Sequence, residues 1–352
     1  MNKPDRIPFI DALRALAITG VIIAHCSAIA GLRGTIRQFT DLGGFGVQLF
    51  FIVSAFTIFL TYENAVATER CAMANFFIRR FMRLVPVYWL GIMLYSLVYG
   101  MESRGWGPPP ELWHYPFHAT LTNIFVSTAT SSVVPGGWSI SVEAIFYLAA
   151  PRLFVLIKNL RSALTFIIIS TVAGMILPFV LLEQLPIFGL GMALFFIYRD
   201  ARAMATMAKP VVSTTILALA GVIFGLGFSD ILPTPPHLNY GVAFLLLSLF
   251  LMDRPFRIIV NRATVMIGKM SYSAYLLHFL IIKQMMTWLP LASLSPHSRF
   301  IALAIGGIVT TLPLAYLSHR YVETSINALT RKLIARREGR NHHDAGLQPL
   351  SA

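Results

Sequence analysis

The apolar residues of this chain come in long blocks separated by short basic clusters. A block of about 20 apolar residues crosses a bilayer as a helix. In lipid the backbone must satisfy its own hydrogen bonds, so such blocks are helical. Ten blocks predict ten spans, at about 9–30, 42–62, 84–100, 137–157, 164–182, 185–198, 211–228, 239–252, 264–288 and 299–318. The expected architecture is all-α: a polytopic transmembrane helical bundle over residues 1–325, then a basic, disordered cytoplasmic tail over 326–352. The stretch 105–136 is the longest connection. It holds Pro108-Pro109-Pro110, Trp106 and Trp113, and a moderately apolar patch at 117–134 that suits a re-entrant or interfacial segment. No internal repeat and no soluble second domain is visible.

Composition excludes a soluble domain. Of 352 residues 56% are hydrophobic and 12% charged, where soluble domains carry about 25% charged residues. Lys3 and Arg6, an apolar stretch and Ala28-Ile29-Ala30 together look like a cleavable signal,. Asp11 and Arg14 interrupt that stretch, and ionisable groups inside a span usually mark function. A retained first helix is expected.

The net charge of +13 invites a nucleic-acid partner, but its distribution argues against one. With the N-terminus inside, the inner segments hold 22 of the 28 basic residues. The outer segments hold Arg33, Arg37, Arg104 and Arg299, while Arg14 and Lys283 lie within spans. That asymmetry is the orientation signal of membrane proteins, and it predicts both termini in the cytoplasm. The two cysteines, Cys26 and Cys71, are too few for a disulfide framework and show no metal-ligand spacing.

Four polar clusters interrupt the apolar background. In the first span, Asp11-Ala-Leu-Arg14 is followed after ten residues by His25. Eleven positions at about 100° return to within about 20° of the same face, roughly 16 Å along the axis. A neutral histidine is tolerated in a membrane and can act as a base, whereas an arginine needs a partner or an anion. A structural Asp11–Arg14 pair with a hydrogen-bonded His25 fits equally well. The second cluster is Arg79-Arg80-Phe-Met-Arg83. Its guanidiniums suit phosphates, and they also suit a headgroup anchor. The third is Gly136-Gly137-Trp138-Ser139-Ile-Ser141-Val-Glu143. Glu143 is placed to orient the His25 imidazole or to relay protons. Trp138 fits an interfacial belt, and Ser139 and Ser141 fit helix caps. The fourth, Ser271-Tyr272-Ser-Ala-Tyr275-Leu-Leu-His278, forms a polar stripe that can glue helices, with His278 a possible cavity residue. His114 and His118 are spaced four apart with no matching carboxylate, and no metal site is expected.

In order along the chain, these pieces and Phe50-Phe51-Ile-Val-Ser54-Ala-Phe56 resemble the acyltransferase 3 family of membrane acyltransferases. The matching motifs include Arg79-Arg80-x-x-Arg83-x-x-Pro86, Trp138-Ser139-x-Ser141-x-Glu143-x-x-Phe146-Tyr147 and Gly268-x-x-Ser271-Tyr272-x-x-Tyr275-x-x-His278. They run from position 8 to about 325. The resemblance implies O-acylation, most often acetylation, of surface polysaccharide, lipopolysaccharide or a related glycan in a bacterial cytoplasmic membrane. Cytoplasmic acetyl-CoA (acyl-CoA) is the implied co-substrate, with no permanently bound cofactor. Membrane lipids and a carbohydrate acceptor, free or lipid-linked, are the implied partners. The family roles fall on His25 and Arg14 as the catalytic pair and Glu143 as an active-site carboxylate. Arg79, Arg80 and Arg83 would bind the donor, and Asp11, Trp138, Ser139, Ser141, Tyr272 and His278 would contact substrate. His25 would act as general base or carry the acyl group itself. Some relatives add a periplasmic hydrolase-like domain; none follows here, so its step is expected to be absent or supplied in trans. The competing class is a proton-coupled transporter or glycan flippase, in which Arg14, His25 and Glu143 would line a pathway.

Overall fold

The computed structural model describes residues 7–229 and 234–345. Lys3 and Arg6 of the charge count, and tail residues 346–352, lie outside the described residues. The chain runs α1 (Pro8–Ala30), α2 (Gly34–Asp41), α3 (Gly46–Thr68), α4 (Ala72–Tyr99), α5 (His114–Ala119), α6 (Gly137–Leu156), α7 (Leu160–Ile176) and α8 (Val180–Arg199). It continues through α9 (Ala201–Met207), α10 (Pro210–Phe228), α11 (Pro236–Asp253), α12 (Arg262–Lys269), α13 (Ser271–Trp288), α14 (Pro296–Ser318) and α15 (Thr324–Ala345). The described residues are all-helical, without strands. Eight helical segments are long and apolar enough to cross a membrane, α12 and α13 form a ninth candidate broken by 76°, and α7 is a shorter apolar helix.

Local chemistry sets the helix ends. Pro8 sits in the first turn of α1, where its missing N–H is no loss,. Gly31 closes the same helix in the left-handed region, at φ 75°, with its N–H bonded to the Ala28 carbonyl,. Asn159 and Asn261 form capping boxes with Ser162 and Thr264 at the starts of α7 and α12,.

Among the described residues two compact units emerge, 7–57 with 156–316, and 58–155 with 317–345. In the first, α1 is packed so closely that several neighbours have to be glycine. A Cβ at Gly43 would lie 2.1 Å from the Gly20 carbonyl oxygen, and one at Gly46 2.4 Å from that of Ala17. One at Gly268, near the end of α12, would lie 1.8 Å from the Asp11 carbonyl oxygen. Small residues at membrane interfaces permit this approach of backbones. The single span expected over 264–288 therefore becomes a short helix pressed on the start of α1, a bend, and α13 running on from it.

In the second unit, Tyr62 packs on Phe76 and Phe154, with centroids 5.2 Å away in each case. The segment between α4 and α6 is anchored by His118, which is fully buried. One ring nitrogen bonds the Tyr88 hydroxyl at 2.8 Å and the other the Ala129 carbonyl at 2.6 Å. Gly137 lies beneath this contact, where a Cβ would meet the Tyr88 hydroxyl at 2.5 Å.

Of the tail expected over 326–352, residues 326–345 are described. α15 is helical to Ala345 and packs on α4. The Glu338 carboxylate accepts hydrogen bonds from the Arg70 and Cys71 backbone N–H groups and from the Asn75 amide. It thereby satisfies the N–H of Cys71, which caps α4,. That pairing is long-range and invisible in local composition.

Burial, opposed by the Ala129 hydrogen bond and aided by His114, pushes the His118 pKa down from 6.5 to about 4. The folded state therefore binds this proton less readily than the unfolded chain does. The His118 contribution is complete above pH 6.5 and is lost as pH falls toward 4. Hydrogen exchange in the 111–135 segment is expected to accelerate across that window, and His118→Phe is expected to flatten the dependence. For the α1 interface, Gly268→Val is expected to destabilise by about 1–3 kcal/mol or more. Gly221→Ala, which meets open space, should leave the thermal midpoint of the purified protein in place.

Candidate active site

The first helix carries its polar residues on the face expected from their spacing. The Arg14 guanidinium donates to the Asp11 carboxylate at 3.2 Å and to the Thr57 hydroxyl of α3 at 3.4 Å. Both members of the ion pair are largely shielded, with side chains 14% and 13% exposed. One such partner partly neutralises an arginine that would be costly to hold alone inside a bilayer.

Near the far end of α1, His25 Nδ1 lies 2.8 Å from His278 Nε2 on α13. The two rings are nearly parallel, at 7°, with centroids 5.0 Å apart. Phe279 stands edge-on to both, at 5.6 and 6.4 Å, and holds the pair from one side. His278 Nδ1 is 2.7 Å from the Tyr275 carbonyl and 3.2 Å from that of Ala274. His278 is buried and His25 retains partial access. Arg37 on α2 bonds Asp41 through its Nε at 2.7 Å.

In the other unit the three arginines of α4 divide into distinct environments. Arg79 is held by Glu69 through two hydrogen bonds of 2.8 and 2.7 Å. Arg80 lies over the rings of Phe76 and Tyr147, at 5.4 and 5.2 Å, and donates to Thr61 at 3.0 Å. Its Nε is buried without a hydrogen-bond partner. Arg83 is exposed. The Tyr147 hydroxyl donates to Glu143 at 2.5 Å, and Arg80 acts electrostatically on both. The helix extends from Ala72, so these arginines lie within α4 and not ahead of it.

The structure puts His278 on one His25 ring nitrogen and Tyr147 on the Glu143 carboxylate. Ser139 is buried and donates to the Gly136 carbonyl, and Ser141 donates to Asn123, so neither hydroxyl acts as a cap acceptor in these bonds. Trp138 and Tyr272 are partly accessible at the starts of α6 and α13. Thr57, Glu69 and Phe279 belong to none of the sequence motifs, and Tyr147 stands in the Glu143 motif without an assigned role. Tyr147 follows Glu143 by four residues, and that i,i+4 spacing is a legible signal. Glu69 gives no such signal, since its partner is ten residues away. Among the described residues, no group of three or more His, Cys, Asp or Glu side chains could hold a metal ion.

Comparison with known proteins adds a family. A family model described as an acyltransferase domain matches residues 7–320. The chain is similar to "O-acetyltransferase OatA" of Staphylococcus aureus, with 24% identity over 93% of this chain and 58% of the relative. It is also similar to "Peptidoglycan O-acetyltransferase OatA" of Listeria monocytogenes, with 28% identity over 91% of this chain and 56% of the relative. The chain thus spans somewhat under three-fifths of the length of these relatives. No solved structure matches it.

The environments of the arginines separate two effects. Arg79→Ala, which removes the ion pair and two hydrogen bonds of Glu69 and leaves it the Asn75 amide, is expected to lower the thermal midpoint. Arg83→Glu is expected to weaken binding of a phosphate-bearing ligand, read by titration with acetyl-CoA.

Proposed function

This chain belongs to the acyltransferase family matched over residues 7–320, and we propose that it is a membrane-bound O-acetyltransferase. It moves an acetyl group from acetyl-CoA on the cytoplasmic side of a bacterial membrane to a hydroxyl of a cell-surface glycan. The observation that carries this reading is the arginine–histidine stripe of α1. Arg14 and His25 share a face, and each is held by named partners inside an apolar bundle. Polar groups maintained at such depth need a use that offsets their desolvation.

In the proposed reaction His25 is the general base. It takes the proton of the acceptor hydroxyl as that oxygen forms a bond to the acyl carbon. The carbon–sulfur bond then breaks, and the CoA thiolate departs and recovers the proton. Proton transfer of this kind contributes about 10²–10⁴-fold. Arg14 is a fixed cation that can stabilise negative charge on the donor. Arg83 and Arg80 hold donor phosphates, because planar guanidiniums match phosphate oxygens. Arg79 supports α4 through Glu69. The acceptor is peptidoglycan or a chemically related surface glycan, by similarity to the Listeria relative's name.

The test compares ester-linked acetyl on surface glycans, by mass spectrometry, in cells carrying wild-type or His25→Ala protein at matched membrane levels. The expected result is loss of one acetyl ester mass in the variant. An unchanged glycan profile in cells lacking the protein altogether would overturn the reading.

A further inference from the structure

The hydrogen bonds around His278 decide where the proton of His25 must sit. His278 Nδ1 faces two backbone carbonyls of its own helix, Tyr275 at 2.7 Å and Ala274 at 3.2 Å. A carbonyl oxygen only accepts, so this nitrogen must carry the hydrogen. In a neutral imidazole the other nitrogen then bears the lone pair. That nitrogen, His278 Nε2, lies 2.8 Å from His25 Nδ1. Two lone pairs cannot face each other at that distance, so His25 Nδ1 donates. The lone pair of neutral His25 is then on Nε2.

We infer that His278 is a positioning residue that locks His25 in the Nδ1–H tautomer and turns the basic Nε2 toward the reacting hydroxyl. The inference rests on the proposed acetyl transfer for its catalytic meaning, although the tautomer itself is independent of it. The chain carbonyl–His278–His25 does with a neutral imidazole what a carboxylate does in a Ser-His-Asp triad: it fixes ring orientation and proton location. When His25 Nε2 takes the acceptor proton, its Nδ1–H bond to His278 becomes charge-assisted and shorter. The positive charge is then shared toward a ring whose other nitrogen already donates to carbonyl dipoles. Phe279, edge-on to both rings, limits rotation out of this plane. The 76° bend between α12 and α13 follows the close contact of Gly268 with Asp11, and His278 on α13 lies beside His25. This assigns His278 a role separate from the substrate contact that its motif implies.

The test has two arms. Imidazole ¹⁵N NMR of histidine-labelled wild-type protein in nanodiscs reads the tautomer, with His25→Gln to assign its signals. A protonated Nδ1 and bare Nε2 on His25 is expected; an Nε2–H tautomer overturns the inference. In the kinetic arm, His278→Leu is expected to lower kcat on the order of 100-fold, with KM for acetyl-CoA unchanged. His278→Glu, an acceptor-only partner when ionised, should recover at least part of that loss. Full kcat in His278→Leu would overturn the inference while leaving the acetyltransferase reading intact. If His278→Leu does not fold, the wild-type spectrum still decides. Full activity of His25→Ala would instead remove the acetyltransferase reading, whatever the tautomer.

Discussion

An ionisable side chain inside a bilayer must keep a partner, and the polar face of α1 is organised by that requirement. Arg14 is bonded to Asp11 and Thr57, and His25 to His278. Each partner comes from a different constraint. Asp11 is one turn away on the same helix, Thr57 comes from α3, and His278 comes from a helix some 250 residues later in the chain. The stripe therefore exists only if α1, α3 and α13 are held at close, fixed distances.

Glycine supplies those distances. Gly43 and Gly46 let the chain before and into α3 touch the α1 backbone, and Gly268 lets the end of α12 touch Asp11. α12 packs closely on α1, and the chain turns by 76° before α13. The same packing that excludes side chains at three positions puts His278 in register with His25. In the other unit the arrangement is electrostatic: Glu69 occupies Arg79, Glu143 is bonded by Tyr147, and Glu338 accepts from the Cys71 N–H that caps α4.

Much of the scaffold is legible in the sequence because membrane helices are local. Apolar block length locates α1, α3, α4, α6, α8, α10, α11 and α14, and the eleven-residue spacing puts Arg14 and His25 on one face. What fails to show is whatever depends on contacts distant in sequence. Glu338 of α15 pairs with residues some 265 positions earlier, which no local pattern in the sequence shows. Three clustered arginines look equivalent until Glu69 takes one and the Phe76 and Tyr147 rings enclose another. The contact of His25 with His278 joins residues 253 positions apart, and no local pattern in the sequence shows it.

The central claim is that the α1 histidine performs acyl transfer. It is tested most directly by single-turnover transfer in nanodiscs, with purified wild-type and His25→Gln proteins supplied with acetyl-CoA and a soluble glycan fragment. CoA release and acetylated glycan are measured together. The account predicts stoichiometric release and ester formation by the wild type, and neither by a folded His25→Gln protein that still binds acetyl-CoA. Equal transfer by both proteins would contradict it.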